Sequence, residues 1–491
     1  MKSIQKSIFL ISGPLLFIIL QYFDPPVGMP ASAYSLLSIT LWMALWWVTE
    51  SVPISVTALL PIILFPLTGV VDLETTTASY GHKYIFLYMG GFMLAIAIEK
   101  WNLHKRIALN IIKIIGTDVS KIILGFMVAT AFLSMWISNT ATAVMMLPIG
   151  MSIVAQLQDN PDTEEDENLL FGKALMLSIA YSASIGGMAT LIGTPPNLVF
   201  AGYVEEVYKI DITFLQWLKF GLPIAIPLLV IAWIYLTQFA FKFKQKEFPG
   251  GKQEINRLLA AIGPMRREEK LVSLIFVLTA FCWITRSFIL QRFLPAIDDT
   301  IIAMVAGVLL FVVPASDVKE RLITWEDAVK LPWGIILLFG GGMALAAGFQ
   351  ITGLASWLGA QMSMLEGLSL IVLVLVVIAS VNFFTEFTSN LATTAMLLPI
   401  LAPIAISLNI NPYILMVSCT IAASCAFMMP VATPPNAVVF GSGYLRIPDM
   451  IKSGIWMNIL SILFLTVMVY YVLPVVWDFN SNDFTDFILS E

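Results

Sequence analysis

Apolar residues in this chain run in blocks of about spanning length, and the breaks between blocks are short and charged or rich in turn formers. The blocks fall near 7–23, 32–50, 53–70, 84–98 with an extension toward 115, 171–203, 214–241, 271–290, 298–315, 331–360, 411–441 and 448–474. Each is read as one crossing. Two further blocks, 119–157 and 369–407, are too long for a single crossing, and each has a polar interruption near its middle. The interruptions are "WISNTATAVMMLPI" at 136–149 and "FTSNLATTAMLLPI" at 387–400. We read each as a re-entrant helical hairpin that enters and leaves on one side. The pattern therefore predicts an all-α polytopic membrane protein with about eleven transmembrane helices plus two re-entrant hairpins.

Composition agrees with that reading. Of 491 residues 59% are hydrophobic and 12% charged, whereas soluble domains carry about 25% charged residues. The start, "MKSIQKSIFLISGPLLFIILQYF", has a basic end but runs on to spanning length without a small-residue cleavage site. It is read as a first transmembrane helix within residues 1–30. Cys282, Cys419 and Cys425 lie in apolar blocks in no metal-like spacing, so they read as core residues. No nucleic-acid partner is expected.

Charge placement orients the chain. With the N-terminus cytoplasmic, 21 of the 26 Lys and Arg fall on the inner side, and the acidic tail 475–491 falls outside. Arg286 and Arg292 are against the rule. The expectation is a multi-pass protein of the plasma (inner) membrane with an extracytoplasmic C-terminus.

A polar stretch at 242–270, with eight Lys and Arg and a Pro-Gly-Gly break, reads as a cytoplasmic linker that divides the chain. Across it the sequence repeats. "LYMGGFM" (87–93) answers "LLFGGGM" (337–343), the two Ser-Asn interruptions answer each other, and "GTPPNLVF" (193–200) answers "ATPPNAVV" (432–439). The offsets are 250, 251 and 239 residues. The copies are 31–241, with hairpin 119–157 and broken helix 171–203, and 271–474, with hairpin 369–407 and broken helix 411–441. Five crossings in each copy put the second upside down relative to the first, an inverted-topology duplication of the kind secondary transporters use.

Non-helical backbone at membrane depth persists only where protein or an aqueous cavity supplies partners, because an unsatisfied backbone group costs several kcal/mol there. The Ser-Asn interruptions are two such places. Thr194-Pro195-Pro196-Asn197 and Thr433-Pro434-Pro435-Asn436 are two more, since consecutive prolines are expected to unwind a helix in mid-span. A packed kink would explain any one of these breaks, but four matched in pairs favour a shared polar site. Freed carbonyls, with oxygens of Ser134, Ser138 and Asn139 and of Thr385, Thr388 and Asn390, can form two oxygen cages for a small cation. Helix starts beyond the breaks suit an anion.

No Lys or Arg occurs from 122 to 172 or from 331 to 445, so a bound anion needs helix ends, neutral donors and co-bound cations to balance it. That couples the two ligands. Neutral oxygens favour Na+ over H+. Glu386 is the exception: a carboxylate at membrane depth is either a proton or cation site or a hydrogen-bonded structural group, and we favour the latter because Met135 stands at the matching position. Glu50, Glu99, His82 and His104 fall at block edges and are not read as ligands.

The paired Ser138-Asn139-Thr140 and Ser389-Asn390 motifs, each followed by a TPPN break, resemble the signature of the divalent anion:sodium symporter family of sodium-coupled dicarboxylate, citrate and sulfate carriers. The resemblance covers nearly the whole chain. It implies a homodimer whose protomers have a scaffold domain and a mobile transport domain that works as an elevator. It also implies a first Na+ site at Ser134, Ser138, Asn139 and Gly193 and a second at Thr385, Thr388, Asn390 and Ala432. Substrate carboxylates would meet Asn139, Thr140, Thr194, Pro195, Ser389, Asn390, Thr433 and Pro434. The family's strictest pattern has Thr in both motifs, and Leu391 departs from it, which leaves citrate and sulfate open beside C4 dicarboxylates. The expected activity is Na+-coupled import of a succinate-, malate- or fumarate-like C4 dicarboxylate. Dicarboxylate exchange without net Na+ coupling ranks second. An intramembrane enzyme ranks lower, since the breaks carry no nucleophile and base and no metal-ligating constellation.

Overall fold

A computed structural model describes residues 2–116, 118–156, 167–243, 251–316, 320–361 and 367–487. The described residues are almost wholly helical. By length and composition, eight helices can cross a membrane: Ala31–Thr49, Leu73–Lys100, Glu167–Gly187, Phe214–Ala240, Arg267–Phe293, Trp333–Ile351, Asn390–Ser407 and Ile447–Trp477. Shorter apolar helices accompany them, among them Val119–Ser134, Asn139–Val154, Leu370–Phe384 and Pro412–Ala423.

Several predicted blocks divide where the backbone allows it. Asn102, at φ 57°, separates Lys83–Lys100 from the amphipathic helix Leu103–Ile115. Gly353, at φ 74°, ends the block 331–360 early, leaving Trp333–Ile351 and Leu354–Gln361. Part of the linker 242–270 is a helix, Gly251–Ile262, and not a loop. Its apolar Ile255, Leu258, Leu259 and Ile262 recur at helical spacing, a pattern masked by the surrounding charge. Residues 244–250 of that linker lie outside the described set.

Both interrupted blocks form as helix, break and helix: Val119–Ser134 with Asn139–Val154, and Leu370–Phe384 with Asn390–Ser407. The TPPN segments depart from expectation in one respect. Pro195 and Pro434 begin helices Pro195–Tyr208 and Pro434–Phe440, and the unwound chain lies upstream, at 188–194 and 424–433. Proline at the first helical position removes only an N–H that would have no helical partner, so it starts a helix more readily than it breaks one.

The glycine motifs act in packing. A side chain at Gly90 would press on the Ala303 carbonyl at 2.5 Å, and one at Gly341 on the Ala58 carbonyl at 2.5 Å. Close backbone approach of this kind is how helices associate where lipid removes the hydrophobic drive.

Ion pairs between distant segments fall into two groups. One group joins Lys100 to Asp327 (2.7 Å), Arg106 to Glu269 (2.7 Å) and Lys173 to Asp449 (3.0 Å). The other joins His82 to Glu205 (2.8 Å), Lys83 to Asp211 (3.1 Å), and Arg286 to both Asp211 (2.8 Å) and Asp299 (3.0 Å). Arg286, one of the two exceptions in the expected orientation, is buried between two carboxylates. Burial pushes the Asp211 carboxyl up, but the Arg286 and Lys83 charges outweigh burial and hold it below its ordinary value.

Candidate functional site

All four breaks converge on one cavity of about 670 Å³. Asn139, Thr140, Thr194, Pro195, Ser389, Asn390, Thr433 and Pro434 line it, as do Ser138, Thr388 and Ala432. Ser134, Gly193 and Thr385 lie just behind, fully buried or nearly so. The lining includes one carboxylate, Glu50, and no lysine, arginine or histidine.

Each Ser-Asn break builds the same small cluster. In the first, the Ser134 hydroxyl lies 2.6 Å from Asn139 Oδ1 and 2.7 Å from the Ala183 carbonyl. In the second, the Thr385 hydroxyl lies 2.8 Å from Asn390 Oδ1 and 3.1 Å from the Ala423 carbonyl. Three oxygens in each cluster share a single hydroxyl proton. The excess of lone pairs suits a hard cation that takes oxygen ligands. In both clusters Oδ1 is the asparagine atom set against the hydroxyl, which can donate to it or to the carbonyl, and the amide Nδ2 makes no hydrogen bond to protein among the described residues. Each asparagine thus turns an acceptor to the oxygen cluster and keeps a donor pair free at the cavity.

Helix starts add to the donors. Ser138 caps Asn139–Val154 by accepting from the Ala141 N–H at 3.2 Å, and Ser389 and Thr194 hold the capping positions of Asn390–Ser407 and Pro195–Tyr208. Pro434–Phe440, a short turn, begins at the cavity as well, with Thr433 accepting from the Asn436 N–H at 3.3 Å.

The structure reveals residues that the motif reading passed over. Asn197 and Asn436, fully buried, each donate from Nδ2 to two carbonyls of the unwound chain: Gly187 (3.2 Å) and Thr190 (2.7 Å) in one, Ala426 (3.2 Å) and Met429 (3.0 Å) in the other. They staple the breaks shut from behind. Their place at the end of both TPPN motifs was the available signal. Gly187 packs its Cα against Asn139, and a methyl there would overlap Oδ1. Nothing in the sequence around Gly187 marks that contact.

Glu386 resolves as a structural group. It is 1% exposed and accepts from the Phe427 (2.8 Å), Met428 (3.0 Å) and Met429 (2.9 Å) N–H groups and from Asn458 Nδ2 at 2.7 Å. Four donors match the lone-pair capacity of one carboxylate. In the first half the matching Met135 offers only its carbonyl, which accepts from the Thr190 hydroxyl. Leu391 lines the cavity, buried, opposite an exposed Thr140.

A family model described as the sodium:sulfate symporter transmembrane region matches residues 5–477. The chain belongs to that symporter family. Among its relatives is the sodium-dependent dicarboxylate transporter SdcS of Staphylococcus saprophyticus, 46% identical over 478 residues, spanning 96% of this chain and 92% of that protein. SdcS of Staphylococcus aureus is 46% identical over 486 residues, covering 98% of this symporter-family chain and 94% of its own length. The crystal structure of the Alcanivorax borkumensis YdaH transporter is similar in fold, with a TM-score of 0.58 at 15% identity, covering 80% of this chain and 86% of that one.

Proposed function

We propose that this protein is a secondary active transporter that couples import of a C4 dicarboxylate, of the succinate, malate or fumarate type, to Na+. It is not an enzyme. The observation that carries the reading is the pair of oxygen clusters beside one cavity that has no basic side chain. A dianion in that cavity meets helix starts and the Asn139 and Asn390 amides, and its remaining charge is balanced by Na+ held at Ser134, Ser138, Asn139 and Gly193 and at Thr385, Thr388, Asn390 and Ala432. Substrate carboxylates contact Thr140, Thr194 and Pro195 from one half and Ser389, Thr433 and Pro434 from the other. Binding of Na+ and of the dianion therefore favour each other. The 46% identity to sodium-dependent dicarboxylate transporters supports both the ion and the substrate class.

In this reading eleven crossings and two re-entrant hairpins form inverted repeats at 31–241 and 271–474 in the plasma membrane, with a cytoplasmic N-terminus. The pairing supports the alternation of spans, because each of these ion pairs joins residues that the alternation puts on one side. The protomer works as an elevator within a homodimer, its four breaks moving with the bound ligands.

The test is uptake of radiolabelled succinate, citrate and sulfate into proteoliposomes with and without an inward Na+ gradient. Succinate uptake that rises with the gradient is expected. Uptake indifferent to Na+ but dependent on internal dicarboxylate would replace symport with exchange, and uptake of citrate or sulfate alone would replace the substrate.

A further inference from the structure

A second cavity, of about 720 Å³, opens between helices Glu167–Gly187, Phe214–Ile234 and Ile447–Val467, away from the four breaks. Its lining is amphipathic. Leu170, Ile231, Ile234, Phe239, Trp456 and Leu460 make an apolar wall, and Lys173, Asp449 and Lys452 close one end. Lys173 is paired with Asp449 at 3.0 Å, whereas Lys452 is exposed and has no carboxylate partner among the described residues, so the polar end has a net positive charge. From the charged end, exposed apolar side chains continue along both flanking helices in the direction of the bilayer interior: Val230 (42%) and Ile226 (56%) below Phe239, and Ile459 (36%) and Leu463 (56%) below Trp456.

The helix that forms one wall changes geometry at this place. Phe214–Ile234 continues as a π-helical turn, Tyr235–Ala240, whose Tyr235 hydroxyl donates to the Ser453 carbonyl at 2.9 Å across the cavity floor. Such wide turns concentrate at functional sites. Phe239 lies on this turn, is 70% exposed and lines the groove.

We infer that this groove is a binding site for an anionic phospholipid. The phosphate diester sits by Lys452 and the Lys173–Asp449 pair, and an acyl chain lies along the apolar strip between Phe239 and Trp456. The net positive charge left by Lys452 favours an anionic headgroup over a zwitterionic one, and the apolar strip adds contacts that an acyl chain makes and a soluble phosphate cannot, so the two features together select an anionic lipid. Basic pockets between membrane helices at the cytoplasmic side recognise anionic headgroups for this reason. The site lies on helices that position both unwound segments: Glu167–Gly187 leads into 188–194, and Ile447–Val467 contributes Asn458, which bonds the Glu386 that holds 427–429. Lipid occupancy is therefore placed to stiffen the transport site from outside. The inference does not depend on the substrate or on Na+ coupling.

The experiment is fluorescence quenching by brominated lipids in nanodiscs, with Trp456 isolated as the difference between wild type and Trp456→Phe. Brominated phosphatidylglycerol is expected to quench Trp456 at lower mole fraction than brominated phosphatidylcholine, by about fivefold for one unpaired lysine near the surface. Lys452→Glu, a change at an exposed position, removes that preference. Millimolar inorganic phosphate leaves it intact. Equal quenching by both lipids, or a preference that survives Lys452→Glu, overturns the site, and competition by inorganic phosphate overturns the assignment to a lipid.

Discussion

The two Ser-Asn breaks build the same oxygen cluster but are held by different means. The first is set by contact: Gly187 lets Asn139 approach, Thr190 bonds the Met135 carbonyl, and neutral groups do all the holding. In the second a buried carboxylate, Glu386, gathers three successive N–H groups and an amide. The comparison teaches that the cluster of hydroxyl, asparagine and helix-end carbonyl is common to both halves, while its scaffolding differs. It also separates the residues that should govern ion binding in both halves from those that should matter in one.

The asparagines are shared, so their loss should be the most severe. Asn139→Ala and Asn390→Ala each remove a cluster oxygen and a cavity donor. Each should lower Na+-dependent uptake by more than about a hundredfold, the sum of two interactions of roughly 1.5 kcal/mol each, with insertion and yield unchanged. Near-normal uptake in either variant would remove that asparagine from the ligand set.

Glu386→Ala comes next and acts through stability. It strands three backbone N–H groups and the Asn458 amide, and each buried donor left without a partner costs about 1–3 kcal/mol. A large drop in unfolding temperature in detergent is expected, whereas Met135→Leu should leave stability close to wild type. Equal effects of the two would erase the contrast between the halves.

Gly187→Ala tests the first half alone. The added methyl displaces Asn139 Oδ1, so the Na+ concentration for half-maximal uptake should rise by about tenfold, the worth of one weakened ligand to a cation at ~1.4 kcal/mol. Ala426, 239 residues further on, occupies the matching position, and Ala426→Gly should change that concentration little. Leu391→Thr addresses the remaining difference in the motifs. A restored hydroxyl at the cavity wall should change the KM for succinate by a few fold, in keeping with one neutral hydrogen bond of about 0.5–1.5 kcal/mol.

Much of this was legible in the sequence, and the misses have physical causes. The apolar blocks, the motif offsets and the absence of basic residues near the breaks led to a shared polar cavity, and the residues that the family resemblance named for the substrate line it, but Glu50, read as a block-edge residue, lines it too, as do Ser55 and Pro332, which belong to no motif. TPPN was misread in detail: proline's clash with the preceding turn was given more weight than its ease at a helix start, so the unwound chain was put at the prolines and not before them. The helix Gly251–Ile262 was hidden by the charge density around it. Gly187 was illegible, since a glycine needed for a contact across the fold looks in sequence like any other small residue in a membrane helix.

The smallest effect concerns how the broken helices are anchored beyond the site. Pro195–Tyr208 has 14 residues and ends in the ion cluster of Glu205 and Asp211, whereas Pro434–Phe440 has 7 and relies on Glu386 at its other end. One half is thus fixed by charge at the water's edge and the other by charge inside. The Asp211 carboxyl is lowered from an ordinary value of 3.8, so its contribution is fully present above that value and is lost as pH falls through the lowered one. Asp211→Asn should therefore reduce the unfolding temperature by about 2 °C, and the difference from wild type should be constant from pH 8 down to about 5 before shrinking toward zero below the ordinary carboxylate range. The side chain of Asp211 is 34% exposed, and salt should diminish the difference as well. A difference that instead grew on acidification would mean that the cluster is not what anchors the first helix, and the two halves would then need a common account.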